Sequence, residues 1–468
     1  MNKRVISLLF LTLMLAPLLS FAETDQRSLK VLGTIILGEP VDFMRSHPDV
    51  KLDWSTNVYT AEEVYKKILA KDSSIDIYNV AVNNGFRKLV DKGFLPSLDK
   101  SRLISDDVNS MYPNIKKTLI DKEGNIIAWP TSFSVDKPQI SCELWKLAFG
   151  ERPYPVTCSD LLDAMILWEQ GIAEDLDEIE FDMNFDHAWF AQYIVDAFIQ
   201  STEAQEKPVN LLDERLRSLL EKLEKVRFLR EQRGKNTDRI TDYGFEPKPF
   251  IFDPGFYSAV FTGDEQKAFI ELSQFFVYGV NPGRTVSIPL KIDEEDEYYR
   301  GRMTVWIINP YSKNIDLSLE FIEQEIDINK APELYYALHP NANKPYPYSH
   351  FEQMIKNAKT RQHEIEQAIK NAEGAQLTNL QDQLKYYNEW LNNIENEKWR
   401  ISEKSIKEYR QIADKICFFE NSQLLYLKES SVDDTYKLMF KRYAQKQLSL
   451  QQLLEQLNEK VKLMILEQ

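Results

Sequence analysis

The stretch Gly124-Asn125-Ile126-Ile127-Ala128-Trp129-Pro130-Thr131-Ser132 decides how the rest of the chain is interpreted. A Gly-Asn turn precedes a short apolar run of strand character, and Pro130 cannot donate a hydrogen bond within a central strand pair. We therefore expect this strand to end at Pro130, just after Trp129. The chain has different patterns on the two sides of this stretch, which predicts a first crossing between two lobes.

Strand and helix patterns alternate before this crossing. Residues 29–34, 50–54 and 75–80 have the apolar pattern of strands. Thr60 and Glu63 have the spacing of a capping box, and an apolar stripe at helical spacing follows them. This order predicts a parallel sheet covered by helices, whose ligands bind outside the carboxyl ends of the strands.

Amide, hydroxyl and aromatic side chains follow the ends of these predicted strands. They are Thr34, Asn57, Tyr59, Tyr78 and Asn79. Such groups suit a ligand that is rich in hydroxyls. The alternative is that the asparagines form turns and the tyrosines pack in the core.

The amino terminus has the pattern of a secretory signal peptide. Lys3 and Arg4 precede an apolar run, and Ser20 and Ala22 have the spacing that a signal peptidase recognises. We predict a signal peptide over residues 1–22, cleaved after Ala22, because the run is shorter than the roughly 20 residues of a membrane-spanning helix. No cysteine lies near the cleavage site, so we expect no lipid anchor and a location in the periplasm or outside the cell.

Length and charge restrict the class of protein. The remaining chain far exceeds the roughly 100–200 residues of one domain. The net charge of −16, which becomes more negative without Lys3 and Arg4, argues against nucleic acid or an anionic membrane as a partner. Cys142 and Cys158 could pair in an oxidising compartment or remain as unpaired thiols.

Six motifs in order along the chain carry a resemblance to a known family. They are His47-Pro48-Asp49-Val50, Asp76-Ile77-Tyr78, Lys92-Gly93-Phe94-Leu95, the Gly124 to Pro130 strand, Pro155-Val156-Thr157-Cys158-Ser159-Asp160-Leu161-Leu162, and Ile307-Ile308-Asn309-Pro310-Tyr311-Ser312-Lys313-Asn314. This series resembles the extracellular solute-binding proteins of bacterial ABC importers, most of all the carbohydrate-binding group that includes maltose-binding proteins. Cys158 departs from the family pattern, which usually has tryptophan there.

The resemblance implies an α/β protein with a two-lobe periplasmic-binding-protein-like fold and discontinuous lobes. It also implies a receptor that closes on a sugar or oligosaccharide and delivers it to permease subunits of an ABC transporter. We expect a monomer without a cofactor and without enzymatic activity.

The expected lobes are assembled from separate parts of the chain. Lobe 1 is expected from residues 23–130 and 303–345, and lobe 2 from residues 131–302 and 400–468. Within lobe 2 we expect Ser159 to cap a helix. Residues 350–399 have two helical stripes separated by Glu373-Gly374-Ala375, which predicts an added helical hairpin. We expect this hairpin to form an outer layer of lobe 2, although it could also brace the lobes or bind a partner.

The predicted ligand site combines stacking and hydrogen-bonding residues. Trp129, Trp306 and Phe133 are expected to cover the apolar faces of a sugar, since the two tryptophans lie on the predicted crossing strands. Thr34, Asn57, Asn79 and Ser132 are expected to bind hydroxyls, and Tyr59, Tyr78 and Trp189 complete the candidate set. The alternative for each tryptophan is a core position near the hinge.

Two other classes of function remain open from the sequence. The 73 acidic residues could include the carboxylate pair of a secreted carbohydrate-active enzyme, although no motif isolates one. The hairpin could make the protein an interaction scaffold. We expect no metal site, because the five histidines lack metal-ligand spacing and the acidic residues 174–186 lack the calcium-loop pattern and are expected to form a solvated loop.

Overall fold

The structure is a computed structural model. It describes residues 27–32, 40–55, 59–135, 139–172, 180–182, 186–235, 250–253, 285–287, 291–294, 296, 298–327, 329, 331–348, 351–393, 398–401, 403–418 and 435–466. The predicted signal peptide, its cleavage site, Thr34 and Asn57 lie outside these residues.

The described chain alternates strands and helices. The strands are β1 Ser28–Leu32, β2 Lys51–Ser55, β3 Ile77–Ala81, β4 Trp129–Val135, β5 Gln139–Ser141, β6 Glu180–Asp182, β7 Phe250–Asp253, β8 Thr285–Ser287, β9 Tyr299–Ile308, β10 Tyr346–Pro347, β11 Trp399–Ile401 and β12 Ile416–Cys417. The helices are α1 Val41–Ser46, α2 Ala61–Leu69, α3 Asn84–Asp91, α4 Arg102–Asn109, α5 Pro113–Thr118, α6 Cys142–Phe149, α7 Cys158–Glu169, α8 His187–Ala204, α9 Glu214–Gln232, α10 Ile315–Glu325, α11 Pro332–Leu338, α12 Phe351–Ile369, α13 Gly374–Asn393, α14 Glu403–Ala413, α15 Thr435–Ala444 and α16 Leu450–Leu466. None of these helices combines the length and the apolar character needed to cross a bilayer.

The first sheet forms the centre of one lobe. β1 pairs in parallel with β2 and β3, as predicted, and β3 pairs antiparallel with β9. β9 also pairs antiparallel with β4 and in parallel with β12. Apolar side chains from these strands and the flanking helices form one continuous core, in which Leu29, Ile77 and Ile307 are fully buried.

A buried carboxylate ties the ends of this sheet together. Asp76 accepts hydrogen bonds from the backbone N–H of Lys30 at 2.8 Å and from the hydroxyl of Ser312 at 2.5 Å. The amide of Asn309 donates to the carbonyls of Asp72 and Ile75 at 2.8 and 2.7 Å. The motif residues Asp76, Asn309 and Ser312 are therefore structural, since they satisfy backbone groups at the strand ends.

The strand at the first crossing begins where we expected it to end. Trp129 is the first residue of β4, and Pro130 lies inside the strand. The pairing with β9 shifts register between Pro130 and Ser132, which is the geometry of a β-bulge. A bulge tolerates a residue without an N–H, so Pro130 does not terminate the strand.

A second core belongs to the other lobe. The strand order of its sheet is β6-β7-β5-β8, with β5 antiparallel to β7 and β8. Helices α7, α8, α9, α15 and α16 pack their apolar faces together beside it. β6 falls within the acidic segment that we expected to be a solvated loop, and its central Phe181 is buried.

Several boundaries differ from those expected. β4 remains in the first core as far as Val135, and residues 401–416 also join that core, not lobe 2. The amide of Asn114 on α5 holds the carbonyls of Ala413 and Ile416, which fixes this segment to the first lobe. Helix α7 is capped by Thr157 in a capping box with Asp160, not by Ser159.

The predicted helical hairpin is present, but it is attached to the first lobe. α12 and α13 pack on each other, and Gln362 donates to Asn388 across the pair at 2.6 Å. Strands β10 and β11 pair at the base of the hairpin, where Ile401 belongs to the first core. The buried Phe351, Ala358 and Ile365 belong to neither large core. The hairpin therefore has its own small interior and is not an outer layer of lobe 2.

Candidate functional site

At the crossing, strand β9 lies between β3 and β4 and runs antiparallel to both. β3 and β4 both pair with β9, which places Asn79 and Trp129 opposite Trp306. Beyond the bulge, Ser132 pairs with Thr304. Directly paired residues of antiparallel strands share one face of the sheet, so these side chains lie on a common face.

The bulge in β4 brings two hydroxyls to one point. The hydroxyl of Thr304 lies 2.7 Å from that of Thr131 and 2.6 Å from that of Ser132. Thr131 also donates to Oδ1 of Asn79 at 3.1 Å. Regular alternation would place two successive residues on opposite faces, so the extra residue of the bulge explains why both hydroxyls reach Thr304. We call Asn79, Thr131, Ser132 and Thr304 the crossing patch.

The crossing patch has uncharged hydrogen-bonding groups to offer. Asn79, Ser132 and Thr304 are partly exposed, while Thr131 is 7% exposed. The amide nitrogen of Asn79 has no hydrogen-bond partner among the described residues. Amide and hydroxyl groups both donate and accept, which suits the hydroxyls of a polyol or saccharide.

The two predicted stacking tryptophans are close together, but they stack on each other. The ring centroids of Trp129 and Trp306 are 5.7 Å apart with planes at 26°. Trp306 also packs on Phe321 of α10 at 5.3 Å. Trp129 is 5% and Trp306 is 1% exposed, so neither ring presents a face to a ligand in this conformation. The pair forms a floor beside the crossing patch.

The predicted aromatic residues nearby are also largely internal. Tyr78 is fully buried, and burial raises the pKa of its phenol. Tyr59 is partly buried and meets the Tyr78 ring edge-on at 6.4 Å. Phe133 is 1% exposed and packs against Phe418 at 6.0 Å. These three side chains therefore support the first core in this conformation.

Trp189 lies in the second lobe, apart from the other candidates. It occupies the first turn of α8, where its N–H is capped by Asp186. Its ring is partly buried and stacks on Tyr193 at 5.6 Å. Both rings pack against the second core. The structure thus brings Asn79 and Ser132 together beside Trp129 and Trp306, and places Trp189 in the other lobe.

A buried polar chain lies behind the tryptophan pair. Trp129 Nε1 donates to Oδ2 of Asp107 at 2.9 Å, and Oδ1 of Asp107 lies 3.3 Å from Nε2 of His339. Nδ1 of His339 is 2.9 Å from the Ser110 hydroxyl. Serine, histidine and aspartate also form catalytic triads, but this histidine is 2% exposed, so no substrate can reach it here. We interpret this series of hydrogen-bonded side chains as a structural network.

Burial shifts the two titratable groups of this chain in opposite directions. Burial raises the pKa of Asp107 to about 6, although the hydrogen bond from Trp129 opposes the shift. Burial lowers the pKa of His339 to about 4, with an opposing hydrogen bond to Ser110. His339 is therefore neutral at pH 7 and can direct its Nε2–H at the carboxylate of Asp107.

Sequence reasoning missed half of the crossing patch and all of the polar chain behind it. Thr131 is next to Ser132 and Thr304 lies two positions before Trp306, and the local signal for the bulge is the proline within the strand. Asp107 and His339 lie 22 and 210 positions from Trp129 in sequence, so no local spacing reveals them. Among the described residues, no group of three or more His, Cys, Asp or Glu side chains is arranged to hold a metal ion.

Comparison with known proteins adds evidence on the fold. No protein-family model matches the chain. No curated protein matches its sequence. Among solved structures, the binding protein MsmE of Bacillus subtilis in an open conformation matches with a TM-score of 0.55 and 15% identity, covering 94% of this chain and 98% of that one.

Two further structures match over similar lengths. A sugar transporter protein of Bacillus licheniformis in complex with stachyose has a TM-score of 0.52 and 14% identity, with 92% of this chain and 98% of that chain covered. A chitin oligosaccharide binding protein has a TM-score of 0.53 and 12% identity, with coverage of 94% and 98%. The matches confirm the predicted fold class, a two-lobe α/β fold of the solute-binding-protein type.

Proposed function

We propose that the protein is an extracytoplasmic solute-binding receptor that takes up a sugar or oligosaccharide between its lobes and delivers it to the permease of an ABC importer. The fold supports this proposal, because the matching structures include binding proteins for stachyose and for chitin oligosaccharides. Binding without turnover is the expected behaviour, in line with these neighbours.

One observation carries the assignment of the ligand to this chain. The bulge in β4 directs the hydroxyls of Thr131 and Ser132 toward Thr304 on β9, and Thr131 also bonds to Asn79 on the neighbouring strand β3. Bulges are over-represented next to binding sites, where they re-aim side chains. A sugar hydroxyl buried without a partner would cost roughly 1–3 kcal/mol, so such groups favour a hydroxyl-rich ligand.

The tryptophans take a different role in this proposal from the one expected from sequence. We propose that Trp129 and Trp306 form the floor that supports the crossing patch. Asn79, Ser132 and Thr304 then contact the ligand, and Thr34 and Asn57 remain candidate contacts from the neighbouring strand ends. Trp189 is a candidate contact from the second lobe. Closure would follow because only a closed state makes the contacts of both lobes at once.

Titration calorimetry with a panel of neutral saccharides tests the proposal. The panel should include stachyose and chitin oligosaccharides of increasing length, with a basic peptide and spermidine as ligands of other classes. We expect at least one saccharide to bind without being hydrolysed. Binding of spermidine or peptide alone, or hydrolysis of a saccharide, would contradict the proposed class.

Two isosteric variants then test the crossing patch. Thr304→Val and Asn79→Leu remove hydrogen-bonding groups with little change in volume, so each should weaken the best saccharide by roughly tenfold. Thr118→Val is the matched control, because that hydroxyl donates only to the carbonyl of Asn114 within α5. Unchanged affinity in both patch variants would move the site elsewhere.

A further inference from the structure

Asp107 occupies an unusual position between two rings from distant parts of the chain. Its carboxylate accepts from the indole of Trp129 on one oxygen and faces the imidazole of His339 with the other, at 2.9 and 3.3 Å. Its side chain is 8% exposed. A buried carboxylate is costly unless its oxygens are hydrogen-bonded, so these contacts are well defined.

The groups that form this hydrogen-bonded series with Asp107 come from three parts of the chain. Ser110 directly follows α4, Trp129 belongs to β4, and Tyr335 and His339 come from α11 and its end. The Tyr335 ring stacks on the His339 ring at 4.2 Å and covers that end of the hydrogen-bonded series. The Ser110 hydroxyl oxygen also lies 2.7 Å from the carbonyl oxygen of Asp107. The bond donated by Trp129 connects this carboxylate to the crossing strand β4.

That hydrogen bond acts immediately before the bulge. Trp129 is paired with Trp306, and the register shifts between Pro130 and Ser132. A bulge in an otherwise regular pair can move along the strand unless neighbouring contacts fix it. The stacked indoles and the bond to Asp107 fix residue 129 opposite residue 306, which leaves Thr131 as the extra residue.

We propose that Asp107 is a positioning residue of the ligand site: by holding the indole of Trp129, it keeps the β4 bulge in the register that directs Thr131 and Ser132 toward Thr304. The proposal rests on the proposed function for its consequence on sugar affinity. Asp107 itself does not contact the ligand. Its influence passes through Trp129 and the backbone of β4.

The proposal has a pH-dependent consequence. An ionised carboxylate accepts a stronger hydrogen bond than a protonated one. The pKa of Asp107 is raised to about 6 by burial, so the carboxylate takes up a proton as the pH falls through that value. His339 stays neutral over the same interval, because burial lowers its pKa to about 4. The hold on Trp129 therefore weakens between pH 7 and pH 5.

A nuclear magnetic resonance titration of the full chain tests the positioning without any ligand. In the wild type, the indole N–H of Trp129 and the backbone amides of Thr131 and Ser132 should shift together with a midpoint near pH 6. Asp107→Asn, which cannot ionise, should give flat curves at the wild-type low-pH positions. Asp106→Asn is the matched control, since that neighbouring carboxylate is exposed and pairs with Arg102.

The same variants connect positioning to binding. With stachyose or the tightest chitin oligosaccharide as the probe, wild-type affinity should fall roughly fivefold from pH 7 to pH 5, while Asp107→Asn should be weaker at pH 7 and independent of pH. Amides of Thr131 and Ser132 that ignore the Trp129 titration would overturn the proposal, even if Asp107→Asn fails to fold. Failure of every saccharide to bind would refute the proposed function and leave the amide titration as a separate result.

Discussion

His187 shows how strongly burial can shift the pKa of a single residue. It lies fully buried at the start of α8, and its ring packs 5.0 Å from that of Tyr443. Neither ring nitrogen has a hydrogen-bond partner among the described residues. Nε2 is 3.5 Å from Glu224, but that carboxylate is bonded to Arg227. Burial first, and then the charges of Arg227 and Lys446, lower the pKa of His187 to about 3.

The lowered pKa of His187 predicts that the protein loses stability in mild acid. The unfolded chain takes up a proton at His187 below about pH 6.5, whereas the folded chain does so only near pH 3. Protonation therefore stabilises the unfolded state as the pH falls from 7 to 5, which lowers the free energy of unfolding by about 2 kcal/mol. Urea unfolding of the wild type and His187→Phe at pH 7 and pH 5 measures the difference.

The variant should be at least as stable as the wild type at pH 7, because phenylalanine fills the same space without polar atoms that lack partners. It should also be less sensitive to acid by about 2 kcal/mol. His363→Phe, at an exposed position on the hairpin, is the control and should keep the wild-type pH dependence. An equal acid sensitivity in His187→Phe would show that His187 is not held neutral.

Individual residues were predictable where their signal was local. The capping box of Thr60 with Glu63 is confirmed, because both partners lie within four positions of sequence. The start of α7 was misjudged because Thr157 and Ser159 are both good caps. Asp160 decides between them, since it lies three residues after Thr157 and completes the box.

At the scale of elements, the helical hairpin behaves as an addition to the first lobe. Its ends meet at the base, where the N–H of Tyr348 donates to the carbonyl of Lys398 at 3.1 Å. Further from the hairpin helices, Tyr346 of β10 pairs with Ile401 of β11. Periodicity predicted both helices, but not their attachment, since attachment depends on a strand pair that joins positions 55 apart in sequence.

Removal of the hairpin should leave both lobes folded. Residues 349–397 can be replaced by a short Gly-Asn turn, because the flanking residues are already hydrogen-bonded. We expect the midpoint of thermal unfolding to change by no more than a few degrees, since the hairpin interior belongs to neither large core. Circular dichroism should show a loss of helix equal to α12 and α13.

A point variant separates this expectation from an effect of the new junction. Ile365→Asp places a charge in the hairpin interior and should melt the two helices without lowering the stability of the lobes. Saccharide affinity should be unchanged in both variants. Aggregation or loss of cooperative unfolding in both would mean that the hairpin supports a lobe. Loss of a binding partner with intact saccharide binding would favour the scaffold interpretation of the hairpin.

The bulge in β4 marks the limit of prediction for elements. The sequence predicts Trp129 and Ser132 at the first crossing, and both lie on β4, which pairs there with β9. The burial of Trp129 and Trp306 was not predictable, because it depends on Phe321 and Asp107 closing over the indoles. The sequence identifies residues that share a strand face. The packing of other elements decides which of those residues are exposed.

At the scale of the whole molecule, the chain passes between two cores more than once. The first core combines residues 29–135, 303–338 and 401–416. The strand β9 is held at its start by the second lobe, where the Tyr298 hydroxyl donates to the Ala197 carbonyl at 3.2 Å and Gln200 accepts from Arg300 at 3.0 Å. From its first residue, β9 also contacts the first core, since Tyr299 packs against that core and pairs with Ile416 of β12.

Contacts from both lobes meet around Gly301, at the pivot between them. Gly301 has no space for a side chain, since an added Cβ would lie 2.6 Å from Ile416. The pivot between the lobes is therefore closely packed. The sequence predicts a return to the first lobe at residue 303, which lies within β9, but it could not assign residues 401–416 to the first lobe. That assignment rests on contacts such as the 2.6 Å hydrogen bond from Tyr409 to Ala337.

Two cores joined by a few strands should unfold as two units. Scanning calorimetry should resolve two transitions, because proteins with separate cores depart from two-state behaviour. Ile307→Ala removes a buried side chain from the first core, and Leu220→Ala does the same in the second. Each should destabilise its own lobe by about 2–5 kcal/mol and lower one transition only.

Leu69→Ala serves as the control, because Leu69 is 54% exposed and its truncation should move neither transition. The tightest saccharide should then raise both transitions in the wild type, since a ligand bound between the lobes stabilises each against unfolding. A ligand held by one lobe alone would raise only the transition of that lobe. If Ile307→Ala and Leu220→Ala instead lowered a single transition together, the lobes would form one cooperative unit, and closure of one lobe on the other would lose its physical basis.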